Sequence, residues 1–270
     1  MTKKILITGA TDGIGLETAK RLYSKGHTLL LHGRNAEKLE ATERKLADST
    51  GAGLIYTYKA DLSRLAEVDS LANAITREHG QLDVIINNAG VMRVPETITQ
   101  DGLDVRFAVN TVAPYLLTKH LLPIMRPGSR VVNLSSAAQA PVELDALRGK
   151  NRLLDDMSAY AQSKLALTMW NNALAASLGS RGPVFVAVNP GSLLASKMVK
   201  EGFGIAGKSL SIGAEVLVRA ALSDEFANAS GHYFDNDKGR FGSPHSDALN
   251  DQKCKAVVTV IEELVALKMR

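Results

Sequence analysis

The stretch Lys4-Ile5-Leu6-Ile7-Thr8-Gly9-Ala10-Thr11-Asp12-Gly13-Ile14-Gly15 decides the architecture of this chain. An apolar run ends in a glycine-rich turn and passes straight into an amphipathic stretch over 13–25, which reads as strand, tight turn and helix. Glycines at such a turn let backbone approach a pyrophosphate and let the helix pack on the strand, while the helix start offers unpaired N–H groups. Gly9, Thr11, Asp12, Gly13, Ile14 and Gly15 are therefore the candidate phosphate cradle. The alternation continues outward, with further strands expected over 28–32, 54–59, 83–87, 130–134, 184–189 and, more weakly marked, 231–234. Helices are expected over 36–48, 63–79, 102–122, 159–178, 213–222 and 247–268. Most of the strands are too uniformly apolar to have a wet face, as when helices cover both sides of a parallel sheet. The expectation is an α/β chain: one doubly wound domain over 1–270 with a mostly parallel seven-stranded sheet. The irregular stretches 137–158 and 191–211 follow strand carboxyl ends, where open α/β sheets bind ligands.

Composition narrows the function classes. Apolar residues make up 45% and charged residues 22% of the 270, which excludes disordered and fibrous chains. The excess of 32 Lys+Arg over 28 Asp+Glu is spread along the chain, so nucleic acid is not implied. Cys254 is the only cysteine and cannot form an internal disulfide, so a reducing cytoplasm is expected. No stretch reads as a membrane span or signal segment. The six histidines are scattered, and no metal site is expected.

The second strand ends in His32-Gly33-Arg34-Asn35, where a site reading NAD would carry an acid for the ribose hydroxyls. Arg34 instead supplies a planar cation suited to a 2′-phosphate, so the expected cofactor is NADP, with Asn35 beside it. In Tyr160-Ala161-Gln162-Ser163-Lys164 the phenol and ammonium stand one helical turn apart, and a neighbouring ammonium favours phenolate. Ser136, just past an apolar strand, can hydrogen-bond an oxygen whose charge changes during reaction, and it lacks the flanking glycines of a hydrolase elbow.

Together the glycine loop, Asn87-Asn88-Ala89-Gly90, Ser135-Ser136, Tyr160-x-x-x-Lys164 and Pro190-Gly191 resemble the short-chain dehydrogenase/reductase family, in the family's order, over residues 4–191. The resemblance implies a Rossmann fold, with a cofactor-binding and catalytic core over 1–191 and a substrate loop, last strand and terminal helix over 192–270. It implies Asn110, Ser136, Tyr160 and Lys164 as catalytic residues, with Asn110 ordering a water-mediated proton relay to Lys164. It also implies cofactor contacts at Asp61, Leu62, Asn88, Ala89, Gly90, Tyr160, Lys164, Pro190 and Gly191. The implied substrate is a small-molecule carbonyl or alcohol. A homo-oligomer packed through the helices of Asn110 and Tyr160 is implied as well. Two positions depart from the pattern: Asp12 stands where some NADP-preferring members carry a base, and the Thr after Pro-Gly is absent, leaving Ser192 or Ser196 to replace it.

Ser136 and Tyr160 are 24 positions apart, an interval that resembles the longer one of the retinol dehydrogenase and protochlorophyllide reductase branch and hints at a bulky apolar substrate. The intervening segment mixes Val142, Leu144, Leu147, Leu153, Leu154 and Met157 with charges, which suggests an amphipathic flap over the substrate mouth, with a short helix over 142–148. The stretch Gly202-Phe203-Gly204-Ile205-Ala206-Gly207-Lys208-Ser209 matches a phosphate-binding P-loop, but no strand precedes it and too little chain follows. A cofactor-binding sensor without turnover is the rival to an oxidoreductase; its mark would be loss of the catalytic residues.

Overall fold

The computed structural model describes residues 2–196, 199–200, 204 and 206–269. Strand β1 (Lys4–Ile7) runs parallel between β2 (Thr28–Gly33) and β4 (Leu82–Asn87), so that Leu6 faces Leu30 on one side and Ile85 on the other. Strand β3 (Ile55–Lys59) lies outside β2. On the opposite flank β5 (Met125–Leu134), β6 (Val184–Asn189) and β7 (His232–Asp235) follow β4 in turn, all parallel. The order therefore reverses between β1 and β4, and a crevice opens beyond their carboxyl ends.

Alternation along the strands feeds two cores. Leu6, Leu30, Ile85, Val131 and Phe185 point to one face, and Ile5, Ile7, Leu29, Leu31, Val84, Ile86, Val132 and Val186 to the other. The first face is covered by α3 (Leu65–Glu78), α5 (Ala113–Leu121), α7 (Asp156–Leu178) and α9 (Asp251–Lys268). On the second lie α1 (Gly13–Ser24), α2 (Ala36–Ala47) and α8 (Leu210–Leu222).

The sheet has eight strands where seven were expected. The eighth, β8 (Arg240–Gly242), is antiparallel to β7 and sets Phe241 opposite Phe234. With three residues, two of them Arg and Gly, it carries no apolar run to read. The helix expected over 102–122 begins with α4 (Val105–Phe107), widens into a π-turn (Ala108–Val112) and resumes as α5. The one expected over 247–268 is a 3₁₀ turn (Ser246–Leu249) followed by α9.

Segment 137–158 contains the expected short helix, α6 (Leu144–Leu147), but not a flap. Ala146 and Leu147 are buried in the core, Val142, Leu144 and Leu153 pack against it, and Leu154 points into solvent at 96% exposure. The segment is pinned by Arg106, fully buried on α4. Its guanidinium grips both oxygens of Asp104, at 2.7 and 2.6 Å, and reaches Asp156 Oδ1 at 2.5 Å.

A chain of carboxamides crosses the first core. Asn87 of β4 donates to Asn133 of β5 (2.8 Å), Asn133 to Asn171 of α7 (2.9 Å), Asn171 to Asn172 (3.1 Å), and Asn172 to the carbonyl of Ala248 (2.8 Å). Helix α9 packs along α7 and is tied to α5 through Glu262, which accepts from Tyr115 Oη at 2.7 Å and Lys119 Nζ at 3.3 Å. Helix α7 is buried at every position from Ala161 to Asn171. Among the described residues no helix is long and apolar enough to cross a membrane. Gly202, Phe203 and Ile205 of the P-loop match lie outside the described residues.

Candidate active site

The turn after β1 is held open by left-handed glycines and by neighbours that leave room for nothing larger. Gly9 and Gly13 sit at φ +65° and +55°. A Cβ on Gly15 would stand 2.2 Å from the Gly9 carbonyl oxygen and 2.5 Å from Asn88 Nδ2, so glycine alone lets α1 start this close to β1. Asn88 braces the turn from the end of β4, donating to the carbonyls of Thr8 (2.9 Å) and Gly9 (3.1 Å). Thr8 Oγ1 accepts in return from the N–H groups of Asn88 and Ala89, both at 3.0 Å. Asp12 caps α1 through the N–H of Gly13 (2.7 Å), and Leu16 is the first residue bonded back to the Asp12 carbonyl. The N–H groups of Ile14 and Gly15 therefore have no helix carbonyl to bond.

Sequence reading missed the third brace. His32, buried near the end of β2, accepts from Gly9 N–H at Nδ1 (3.2 Å) and places Nε2 3.0 Å from the carbonyl of Ala60. Accepting at one nitrogen leaves the other to donate, which defines a neutral ring. Burial lowers its pKa to about 4, against weaker opposing effects of the Ala60 bond and Asp61. The signal available was a polar residue inside an apolar strand.

These braces frame a cleft of about 470 Å³ along the carboxyl ends of β1 to β6. At one end stand Arg34, Asn35 and Lys38, with the Asn35 side chain capping α2 through Lys38 N–H at 2.9 Å. Lys38 was not among the expected residues, although it follows Arg34 by one helical turn. Asp61 and Leu62 line the neighbouring wall; the Asp61 carboxylate accepts from the N–H and hydroxyl of Ser63, at 2.9 and 2.8 Å. Asn88, Ala89, Gly90, Tyr160, Lys164 and Pro190 line the other end. Of the two serines weighed as replacements for the missing Thr, Ser196 faces the cleft, while Ser192 donates to Asp237 at 2.6 Å.

Two expected residues, Lys164 and Ser136, meet Tyr160. Lys164 is buried, donates from Nζ to the carbonyl of Leu134 (2.7 Å) and lies 5.6 Å from the centre of the Tyr160 ring. Burial lowers its pKa from 10.5 to about 8. Tyr160 differs from expectation: burial raises its pKa, and the hydrogen bond with the Ser136 side chain opposes that rise. A lysine that is itself buried does not dominate here, so the phenol is held protonated. Ser136 Oγ accepts from Ala138 N–H (3.0 Å), whereas the hydroxyl of Ser135 is engaged with Thr168 at 2.7 Å.

Asn110 lies behind Gly90, fully buried in the π-turn, as irregular turns at such sites often place their side chains. Its carboxamide accepts from Val91 N–H (2.8 Å) and donates to the Val91 carbonyl and Ser163 Oγ, each at 2.9 Å. A Cβ on Gly90 would meet Asn110 Oδ1 at 3.3 Å and Lys164 Nζ at 3.4 Å, so that glycine is where the two approach each other. Gly15, Asn110, Ser136 and Gly191 do not line the cleft itself; Gly191 sits at φ +116° beside Asn236, which holds the Pro190 carbonyl at 2.9 Å. Among the described residues no group of His, Cys, Asp or Glu is arranged to hold a metal ion.

The profile of the short chain dehydrogenase family matches residues 3–204. Retinol dehydrogenase 13 of Homo sapiens is 32% identical over 263 residues, spanning 91% of this chain and 80% of that protein. Among solved structures, an uncharacterised protein from Mycobacterium paratuberculosis is 28% identical with a TM-score of 0.81, covering 98% of this chain and 93% of its own. A short chain dehydrogenase from Burkholderia cenocepacia, in complex with NADP, is 25% identical with a TM-score of 0.68, covering 86% and 95%. Glycine turn, braced cleft, Tyr160-Lys164 pair and matched relatives agree, and the chain belongs to the short-chain dehydrogenase family of oxidoreductases, on its retinol dehydrogenase branch.

Proposed function

We propose that the protein interconverts an alcohol and a ketone or aldehyde with NADP(H). The observation that carries this reading is the placement of Tyr160 and Lys164 at one end of a cleft whose other end holds Arg34 and Lys38, with the Ser136 side chain hydrogen-bonded to Tyr160. The cleft suits a dinucleotide: the glycine turn admits close backbone approach, and the two cations Arg34 and Lys38 suit a 2′-phosphate. When bound, the nicotinamide gives or takes a hydride, the step that protein side chains cannot supply. In reduction, Ser136 and Tyr160 hold the carbonyl oxygen and Tyr160, whose pKa is raised by desolvation, donates the proton. Lys164 sits under the ring as the neighbouring cation, and Asn110 fixes the loop of Gly90 and Val91 against α7. The retinol dehydrogenase relatives and the NADP-bound neighbour support a long apolar alcohol or aldehyde as substrate class and NADP as cofactor.

The test follows NADPH absorbance against a panel of short and long-chain aldehydes and ketones, with NADH in parallel. Oxidation of NADPH at least tenfold faster than NADH, reversed towards NADH in Arg34→Asp, is expected from an Arg–phosphate pair contributing about 1.5–3 kcal/mol. Tight NADPH binding with no turnover on any carbonyl or alcohol would favour a cofactor sensor instead.

A further inference from the structure

Two side-chain donors from distant parts of the chain meet on the main-chain oxygen of Ser136. Tyr233 Oη, from β7, donates to it at 3.0 Å, and Gln139 Nε2 donates at 3.0 Å. Gln139 is held in turn, since its Nε2 also reaches Ser135 Oγ (3.3 Å) and its Oε1 accepts from His245 N–H (2.9 Å) in the segment between β8 and α9. Tyr233 is buried and fixed on both sides, paired with Ala187 of β6 and Gly242 of β8. Burial, with the charges of Asp235 and Asp237, raises its pKa, so the phenol remains a donor at any working pH.

A carbonyl oxygen has two lone pairs, and here each meets a donor. That sets the plane of the peptide joining residues 136 and 137. With the plane set, Ala138 N–H stays on Ser136 Oγ at 3.0 Å and occupies one of the hydroxyl's two lone pairs from below, leaving its hydrogen for donation. We infer that Tyr233 and Gln139 are positioning residues that hold Ser136 in the orientation from which its hydroxyl grips the substrate oxygen, an assignment that rests on the oxidoreductase reading above. Strand β7 and the segment before α9 thereby act on the chemistry without touching the cleft. A latch serving only to fasten β7 to the loop would change stability and leave the reaction alone.

Tyr233→Phe keeps the ring and removes one donor; Gln139→Leu removes the other from a half-buried loop position. The assay is carbonyl reduction by NADPH, with kcat, KM for each substrate, thermal melting and the isotope effect of NADPH deuterated at the transferred position. Expected is a fall in kcat of about two- to tenfold in each single variant and a larger one in the double, as for a lost hydrogen bond acting on the transition state. KM for NADPH should hold, and the isotope effect should rise as hydride transfer becomes slower. Turnover within experimental scatter of the unsubstituted protein in both variants, or a loss that follows melting temperature or NADPH affinity alone, overturns the positioning role while the oxidoreductase reading stands. If Tyr233→Phe does not fold, Gln139→Leu decides by the same readings. No turnover by the unsubstituted protein on any carbonyl or alcohol overturns that reading and this role with it.

Discussion

At the scale of single residues the site separates proton donor, charge and brace. Tyr160→Phe removes the donor but none of the cleft wall, so turnover should fall at least a thousandfold while NADPH still raises the melting temperature, a stabilisation of about 2.7 kcal/mol at a hundred times its dissociation constant. Lys164 yields a prediction in pH. In the unfolded chain it holds its proton up to 10.5, but in the fold only to about 8. Between those values the unfolded chain binds more protons, so stability rises with pH across this window, and below pH 8 the cost of burying the charge is carried in full. Melting curves of the cofactor-free protein should therefore gain on those of Lys164→Met as pH rises from 8 to 10; parallel curves would mean that the ammonium is not desolvated. His32 behaves with the same sign lower down. Its folded value near 4 lies below the ordinary 6.5, so stability drains away as pH falls through that interval. Because both ring nitrogens brace backbone, His32→Ala should weaken NADPH binding roughly tenfold with kcat nearly unchanged, as measured by fluorescence titration. The Tyr160-Lys164 pair was legible in its spacing, but the His32 brace was not: a histidine inside Thr28–Gly33 reads as an interruption of an apolar run, and its partners lie on two other loops.

Among the elements, legibility followed burial. Strands β1, β2, β4 and β6 and the 130–134 stretch of β5 are buried on both faces, so their runs are continuous and readable. Strand β8 hides because one phenylalanine between Arg240 and Gly242 makes no pattern, and the π-turn hides because one extra residue per turn barely disturbs helical spacing. The amphipathic character of 137–158 was real, but what its apolar side meets cannot be read from spacing: Leu147 turns to the core and not to a substrate. The anchor of that segment is testable. Arg106→Met leaves the buried Asp104 without its bidentate partner and should cost about 3–5 kcal/mol in urea unfolding, with catalysis failing earlier than secondary structure as the start of α7 loosens. A loss below 1 kcal/mol would show that the carboxylate finds other partners. In β1–α1, Gly15→Ala would push a methyl group into the Gly9 carbonyl and should abolish NADPH binding, read by the same titration.

For the molecule as a whole, α9 is what completes the outer layer. It buries Cys254, Val257, Val260, Ile261 and Leu264 against a core shared with α5 and α7. A chain ending at Asn250 should self-associate or fail to fold, detected by sedimentation; a soluble truncated monomer of unchanged stability would remove α9 from the core. The carboxamides that run from Asn87 through Asn133, Asn171 and Asn172 to Ala248 bear on the same assembly. Each of the four gives from nitrogen, and all but Asn87 take at oxygen, so the row has a head and a tail, like an arrow drawn through four elements. Oily surfaces tolerate a helix displaced by one turn, since any methyl group can replace another. An arrow does not: with α7 slipped along its axis, donors would face donors and several buried amides would go unmatched at once. Near-miss arrangements of the outer helices are therefore penalised where apolar packing alone would hardly tell them apart, and the helix bearing Tyr160 has one address on the sheet.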